Sequence, residues 1–111
     1  MTELSEERFF SEYADLCRRI LSEPKAAYDT AGQLMGLVSY RLNLLPGAAY
    51  EMWAELTDVC ELGPKEACQR SEELMREAAA EFLSLEDPSR DLPKYSKRWL
   101  NRILMDPALR W

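Results

Sequence analysis

The sequence predicts a single all-α domain, an antiparallel helical bundle of four main helices plus a short basic C-terminal helix. Three observations carry that expectation. Apolar residues recur in steps of three and four along nearly the whole chain, the period of one helical face. No stretch alternates apolar and polar residues as a half-buried strand would, and β-branched residues are scarce. Prolines and glycines fall mostly between the periodic segments, where helices start and stop. With 111 residues, 47% hydrophobic and 31% charged, the chain has the size and usage of one globular domain over 1–111.

The first helix is expected over about residues 3–22, with Phe9, Tyr13, Leu16, Cys17, Ile20 and Leu21 on its inner face. Ser5 or Thr2 can cap it, and Glu6 and Glu7 suit the positive end of its dipole. Glu23-Pro24 ends it, since the residue before a proline avoids helical angles. A second helix, about 24–44, has the stripe Ala27, Ala31, Leu34, Met35, Val38, Leu42 and Leu45. Gly32 and Gly36 lie four apart in it, at a cost of roughly 1 kcal/mol each against alanine. Close approach of a neighbouring helix is the expected reason, with a kink as the alternative.

Leu45-Pro46-Gly47 is a short connection, which makes antiparallel neighbours. The third helix, about 47–61, presents Ala49, Met52, Trp53, Leu56, Val59 and Cys60. Gly63 stops it and Pro64 opens the fourth, about 64–85, with Ala67, Ser71, Leu74, Met75, Ala78, Phe82 and Leu85 inward. Glu86 to Asp91 is the longest polar stretch and reads as a loop. The fifth helix, about 92–105, carries Tyr95, Trp99, Leu100, Ile103 and Leu104, and the tail Ala108-Leu109-Arg110-Trp111 is apolar enough to dock back. These stripes would serve a homodimer as well as a monomer.

The net charge of −6 is unevenly placed. Residues 46–63 hold Glu51, Glu55, Asp58 and Glu61 and no basic residue. At about 100° per residue these four share a third of the helix circumference, opposite Met52, Trp53, Leu56 and Cys60. Residues 64–88 add seven acids, Glu72, Glu73 and Glu77 among them, against Lys65, Arg70 and Arg76. Residues 89–111 reverse the sign with Arg90, Lys94, Lys97, Arg98, Arg102 and Arg110. Three readings of the acidic ridge stand. It is a solvated face that favours solubility; it is covered by the basic fifth helix; or it is a landing surface for a basic partner. The fifth helix, with Lys94, Lys97, Arg98, Trp99, Arg102 and Trp111, could likewise meet an anionic partner. The overall negative charge opposes nucleic-acid binding, and its short length and single basic face oppose membrane binding.

Much chemistry is excluded by composition. The chain has no histidine, which removes Ser-His-Asp and Cys-His nucleophile systems, imidazole bases and histidine metal sites. Cys17, Cys60 and Cys68 are odd in number and form no Cys-x-x-Cys pair, which argues against a disulfide framework or a zinc site. They are expected to behave as small buried hydrophobes. Glu12-Tyr13-Ala14-Asp15 and Glu55-Leu56-Thr57-Asp58 are Glu-x-x-Asp pairs of the kind that all-α nucleotide pyrophosphohydrolases use for Mg²⁺. They are far apart in sequence, and no Glu-x-x-Glu accompanies them. No glycine-rich phosphate loop is present. No catalytic residue, metal or cofactor is therefore expected.

No apolar run reaches the roughly 18 residues of a membrane span, and the acidic N-terminus is unlike a signal peptide, so a cytoplasmic protein is expected. In size, acidity and lack of catalytic residues the chain resembles bacterial immunity proteins against nuclease toxins, antitoxins and phage-encoded inhibitors. That resemblance of type implies an inhibitor that covers a basic protein partner with Glu51, Glu55, Asp58, Glu61, Glu72, Glu73 and Glu77. An adaptor or transcriptional accessory working through the basic fifth helix is the alternative, and a Mg²⁺-dependent hydrolase a third.

Overall fold

A computed structural model describes residues 5–40 and 47–111, and all regular structure among them is helical. The expected end of the second helix near 44, its stripe residues Leu42 and Leu45, and most of the turn at 45–47 fall outside the described residues, as does the Thr2 cap.

Helix α1, Glu6–Ser22, starts because the Ser5 hydroxyl accepts the Arg8 backbone N–H at 3.1 Å, with Glu6 and Glu7 in the first turn. Phe9, Tyr13, Cys17 and Ile20 are its buried residues, while Leu16 is half-buried and Leu21 exposed. A 3-10 turn over Pro24–Ala26 leads into α2, Ala27–Ser39. Helix α3 is Ala48–Leu62, α4 is Lys65–Leu83 and α5 is Pro88–Met105. A last 3-10 turn, Pro107–Leu109, returns to α4 and buries Leu109, so the tail docks. Helix α1 packs against α2 and α4, and α3 packs against α2, α4 and α5.

Aromatic side chains from four helices meet in the core. The rings of Tyr13 and Phe82 are 4.2 Å apart and those of Phe82 and Tyr95 5.9 Å. The Trp53 indole N–H donates to the Tyr13 hydroxyl at 2.7 Å, and the Tyr95 hydroxyl donates to the Ala78 carbonyl at 2.6 Å. Each ring thus contributes a large buried area while its polar atom keeps a partner. Burial pushes the Tyr13 and Tyr95 hydroxyls well above the ordinary tyrosine range.

Three expectations need correcting. The fifth helix is not short: it has 18 residues, against 17 in α1 and 19 in α4. It starts at Pro88 because the Asp87 carboxylate caps the Arg90 N–H at 3.3 Å and proline suits a first turn, so two thirds of the polar stretch is helix. Pro93 lies inside it, where it forgoes one backbone bond. Next, Gly32 and Gly36 mark no close approach. Both are exposed, and a Cβ on either would meet nothing within 4 Å. The glycine that close packing does require is Gly63, where a Cβ would lie 2.7 Å from the Val59 carbonyl and 2.9 Å from the Trp111 ring. Last, only Cys17 is wholly buried; Cys60 and Cys68 are half-buried.

Candidate interaction surface

Helix α3 is built with two unlike sides. Met52, Trp53, Leu56 and Val59 are buried. Glu51, Glu55, Asp58 and Glu61 are all exposed, as the helical period requires when the apolar side is committed to the core. Among the described residues, none of these four carboxylates makes a salt bridge. Glu61 accepts a hydrogen bond from the Tyr28 hydroxyl of α2, which pushes that hydroxyl up to about 12. Like charges at this spacing repel one another, so beyond the Tyr28 contact the ridge gives the fold no electrostatic benefit.

The acids of α4 stand differently. Glu73 pairs with Arg70 at 3.0 Å, and Arg70 also holds Asp106 at 3.1 Å, anchoring the C-terminal turn. These two carboxylates raise the Arg70 guanidinium, Glu73 most. Glu77 pairs with Arg102 at 3.0 Å, and Glu81 with Arg98 at 2.7 Å. Glu81 also accepts the indole N–H of Trp99, and the Arg102 guanidinium lies 4.4 Å over the Trp99 ring. Glu72 is half-buried and accepts from the Cys68 thiol at 3.8 Å.

The expected partner-binding set therefore divides. Glu51, Glu55, Asp58 and Glu61 form one open face, while Glu72, Glu73 and Glu77 are engaged within the fold. Helix α5 packs beside α3 without covering that ridge, and its arginines reach the acids of α4 instead. The expected basic surface divides too. Lys94 and Lys97 are exposed, Arg98 and Arg102 are committed to α4, Trp99 is 3% exposed and Trp111 is 66% exposed. Trp99 is thus a core residue, with Glu81 of α4 supplying the acceptor for its N–H. Glu81 was not singled out from the sequence. Its signal was there: Glu77 and Glu81 have the same four-residue spacing as Arg98 and Arg102.

Other chemistry is thinly represented. Glu12 pairs with Arg8 at 3.2 Å and Asp15 with Arg18 at 2.8 Å, so the first Glu-x-x-Asp pair is tied to arginines. Among the described residues, no three Cys, Asp or Glu side chains are placed to hold a metal ion. An open hollow lined by Glu23, Lys25, Ala26 and Asp29 offers two carboxylates and an ammonium but no thiol or hydroxyl nucleophile. No described helix is long and apolar enough to cross a membrane. No protein-family model matches the chain, and neither a curated protein nor a solved structure matches it.

Proposed function

We propose that this domain works by binding and not by catalysis, as a small immunity-type inhibitor that covers a basic protein partner, such as a nuclease toxin, with the outward face of α3. The observation that carries this reading is the difference between the two acidic helices. On α4, Glu73, Glu77 and Glu81 are paired with arginines of the fold; Glu51, Glu55 and Asp58 have no cationic partner among the described residues. A run of unopposed carboxylates speeds the encounter with a basic surface and selects against acidic ones. Because the α4 acids are engaged, the partner meets a narrower face than the seven-residue set. In this reading the helices α1 to α4 alternate in direction as an antiparallel bundle. The protein acts in the cytoplasm, as a monomer or a homodimer.

The test is capture from native lysate at low and high salt, run beside a Glu51→Gln, Glu55→Gln, Asp58→Asn, Glu61→Gln variant. The expected result is a basic partner that wild type retains at low salt, sheds at high salt, and that the variant does not bind. A partner held equally by both proteins, or one indifferent to salt, overturns the reading. Truncation of α5 is not a clean probe of the adaptor alternative, since α5 supplies Leu92, Tyr95, Trp99 and Ile103 to the core. Lys94→Gln with Lys97→Gln tests it without unfolding the domain.

A further inference from the structure

Cys60 and Cys68 face each other across the turn between α3 and α4. The Cys60 thiol donates to the Cys68 carbonyl at 3.6 Å, so the Cys60 sulfur lies against the Cys68 backbone, while the Cys68 thiol donates to Glu72 at 3.8 Å. A second contact shows how closely the helices run here. Within one turn of each cysteine, the Ser71 hydroxyl donates to the Leu56 carbonyl at 2.6 Å, a bond that so short a side chain makes only when two backbones come together. Both cysteines are half-buried, so a small reagent has a route to them, whereas Cys17 is wholly buried on α1.

We propose that Cys60 and Cys68 form an oxidisable dithiol, a modification site at which a hydroperoxide converts the pair into an intramolecular disulfide that staples α3 to α4. The order of events follows from the surroundings. Burial, then the neighbouring Cys68, pushes the Cys60 thiol up to about 12, so Cys60 keeps its proton and acts second. The Cys68 thiol, which donates to Glu72, gives up its proton as its sulfur attacks one peroxide oxygen. The O–O bond breaks, hydroxide leaves and is protonated to water, and Cys68 becomes a sulfenic acid. The Cys60 sulfur then attacks the Cys68 sulfur. The S–S bond forms, the S–O bond breaks, and the departing hydroxide takes the Cys60 proton as a second water. Two thiols are oxidised and one hydrogen peroxide is reduced to two waters. Nothing in this step depends on the partner proposed above. Its effect reaches the same face, because Glu61 follows Cys60 directly and the staple fixes that end of the ridge to α4.

The experiment uses the full chain, reduced and then exposed to a modest excess of hydrogen peroxide. The expected product is a monomer lighter by about 2 Da, the mass of the two hydrogens lost as a disulfide forms. Non-reducing peptide mapping is expected to join the Cys60 and Cys68 peptides. Its melting temperature rises by roughly 5–10 °C through the closed loop, and dithiothreitol reverses the rise. Cys17→Ser keeps all three signatures, while Cys60→Ser and Cys68→Ser each lose them. Since all variants are compared in the reduced state first, a variant that merely folds less well is recognised before oxidation. Oxygen adducts without a crosslink, covalent dimers, a product linked through Cys17, or no reaction at a dose that oxidises the unfolded chain would each overturn the assignment.

Discussion

Helices α3 and α4 lie side by side, and each carries acidic residues toward solvent at helical spacing. On α4 three of the acids meet cations: Arg70 takes Glu73, Arg102 takes Glu77, and Arg98 together with the Trp99 indole takes Glu81. On α3 the only described partner is a neutral one, the Tyr28 hydroxyl on Glu61. The two faces therefore do different work. Exposed ion pairs contribute only about 0–1 kcal/mol each, so the α4–α5 seam is not held by charge. Beneath it the Tyr95 ring packs on Phe82 and its hydroxyl reaches the Ala78 carbonyl, with Trp99 and Ile103 buried beside them, while the arginines lie outside. The α3 face seats no apolar residue in the core; the one large apolar side chain among its acids, Leu62, is exposed. Apart from the Tyr28 contact of Glu61, the charge of this face has no partner among the described residues and is free for another molecule.

The comparison breaks first at Trp99. Replacing it with alanine removes a buried indole and is expected to cost about 3–5 kcal/mol, read by chemical or thermal unfolding. A loss below about 1 kcal/mol would mean that charge, and not the ring, holds the seam. Glu81 separates the two contributions. Glu81→Ala leaves the Trp99 N–H without its acceptor and is expected to cost about 1–2 kcal/mol. Glu81→Gln, which keeps a carbonyl oxygen in place, is expected to recover most of that. Equal losses in the two variants would assign the effect to the ion pair with Arg98.

That seam also shows where the sequence could and could not be read. Phe9, Tyr13, Cys17 and Ile20 announce the inner face of α1 because burial there follows the helical period, and Trp53 is legible for the same reason. The exposed side of α3 is legible as the complement of that face. The rest is set by which helix meets which. Trp99 stands both on the apolar stripe of α5 and among its basic residues, and only the placement of α4 decides between core and surface; the α5 arginines look free until Glu77 and Glu81 are opposite them. Gly32 and Gly36 have the spacing of a contact but no neighbour, whereas Gly63 is needed because Trp111 comes back from the far end of the chain. The start of α5 was hidden because a first turn is built from caps and not from apolar residues: Asp87 and Pro88 look like a loop until the cap is formed. The nearness of Cys60 and Cys68 depends on the tightness of the α3–α4 turn, which no period within one helix records.

On the open face the expected effect on stability is close to zero. Changing Glu51, Glu55 and Glu61 to Gln and Asp58 to Asn raises the formal net charge from −6 to −2. It removes no buried atom, and the amide of Glu61→Gln keeps a carbonyl oxygen as acceptor for the Tyr28 hydroxyl. Stability is expected to stay within about ±0.5 kcal/mol, with any change a small gain from relieved repulsion. Denaturant unfolding measures this, and the same variant then reports on binding. A loss of several kcal/mol would show that the ridge is structural after all and would remove the contrast with α4.

The finest difference between the two sides lies at opposite ends of the pH scale. On the α3 side, donation to the Glu61 carboxylate pushes the Tyr28 hydroxyl up to about 12. A group whose pKa is raised on folding lends stability that is complete below its ordinary value, near 10 for tyrosine, and is lost as the pH rises through the raised one. Near α5, the Arg90 guanidinium above all, helped by the Asp87 backbone N–H and Lys94, holds the Asp91 carboxyl below the usual carboxylate range. A depressed carboxyl lends stability that is present above its ordinary value and is lost as the pH falls through the depressed one. Tyr28→Phe should therefore flatten only the alkaline limb of a melting-temperature profile, and Asp91→Asn only the acid limb. Both groups are solvated, so each effect is small. Tyr13 and Tyr95 also titrate late because of burial, so the decisive curve is the difference between wild type and Tyr28→Phe. If that difference titrates near 10 and not near 12, Tyr28 is not held by Glu61, and Glu61 joins Glu51, Glu55 and Asp58 as a carboxylate with no internal partner among the described residues.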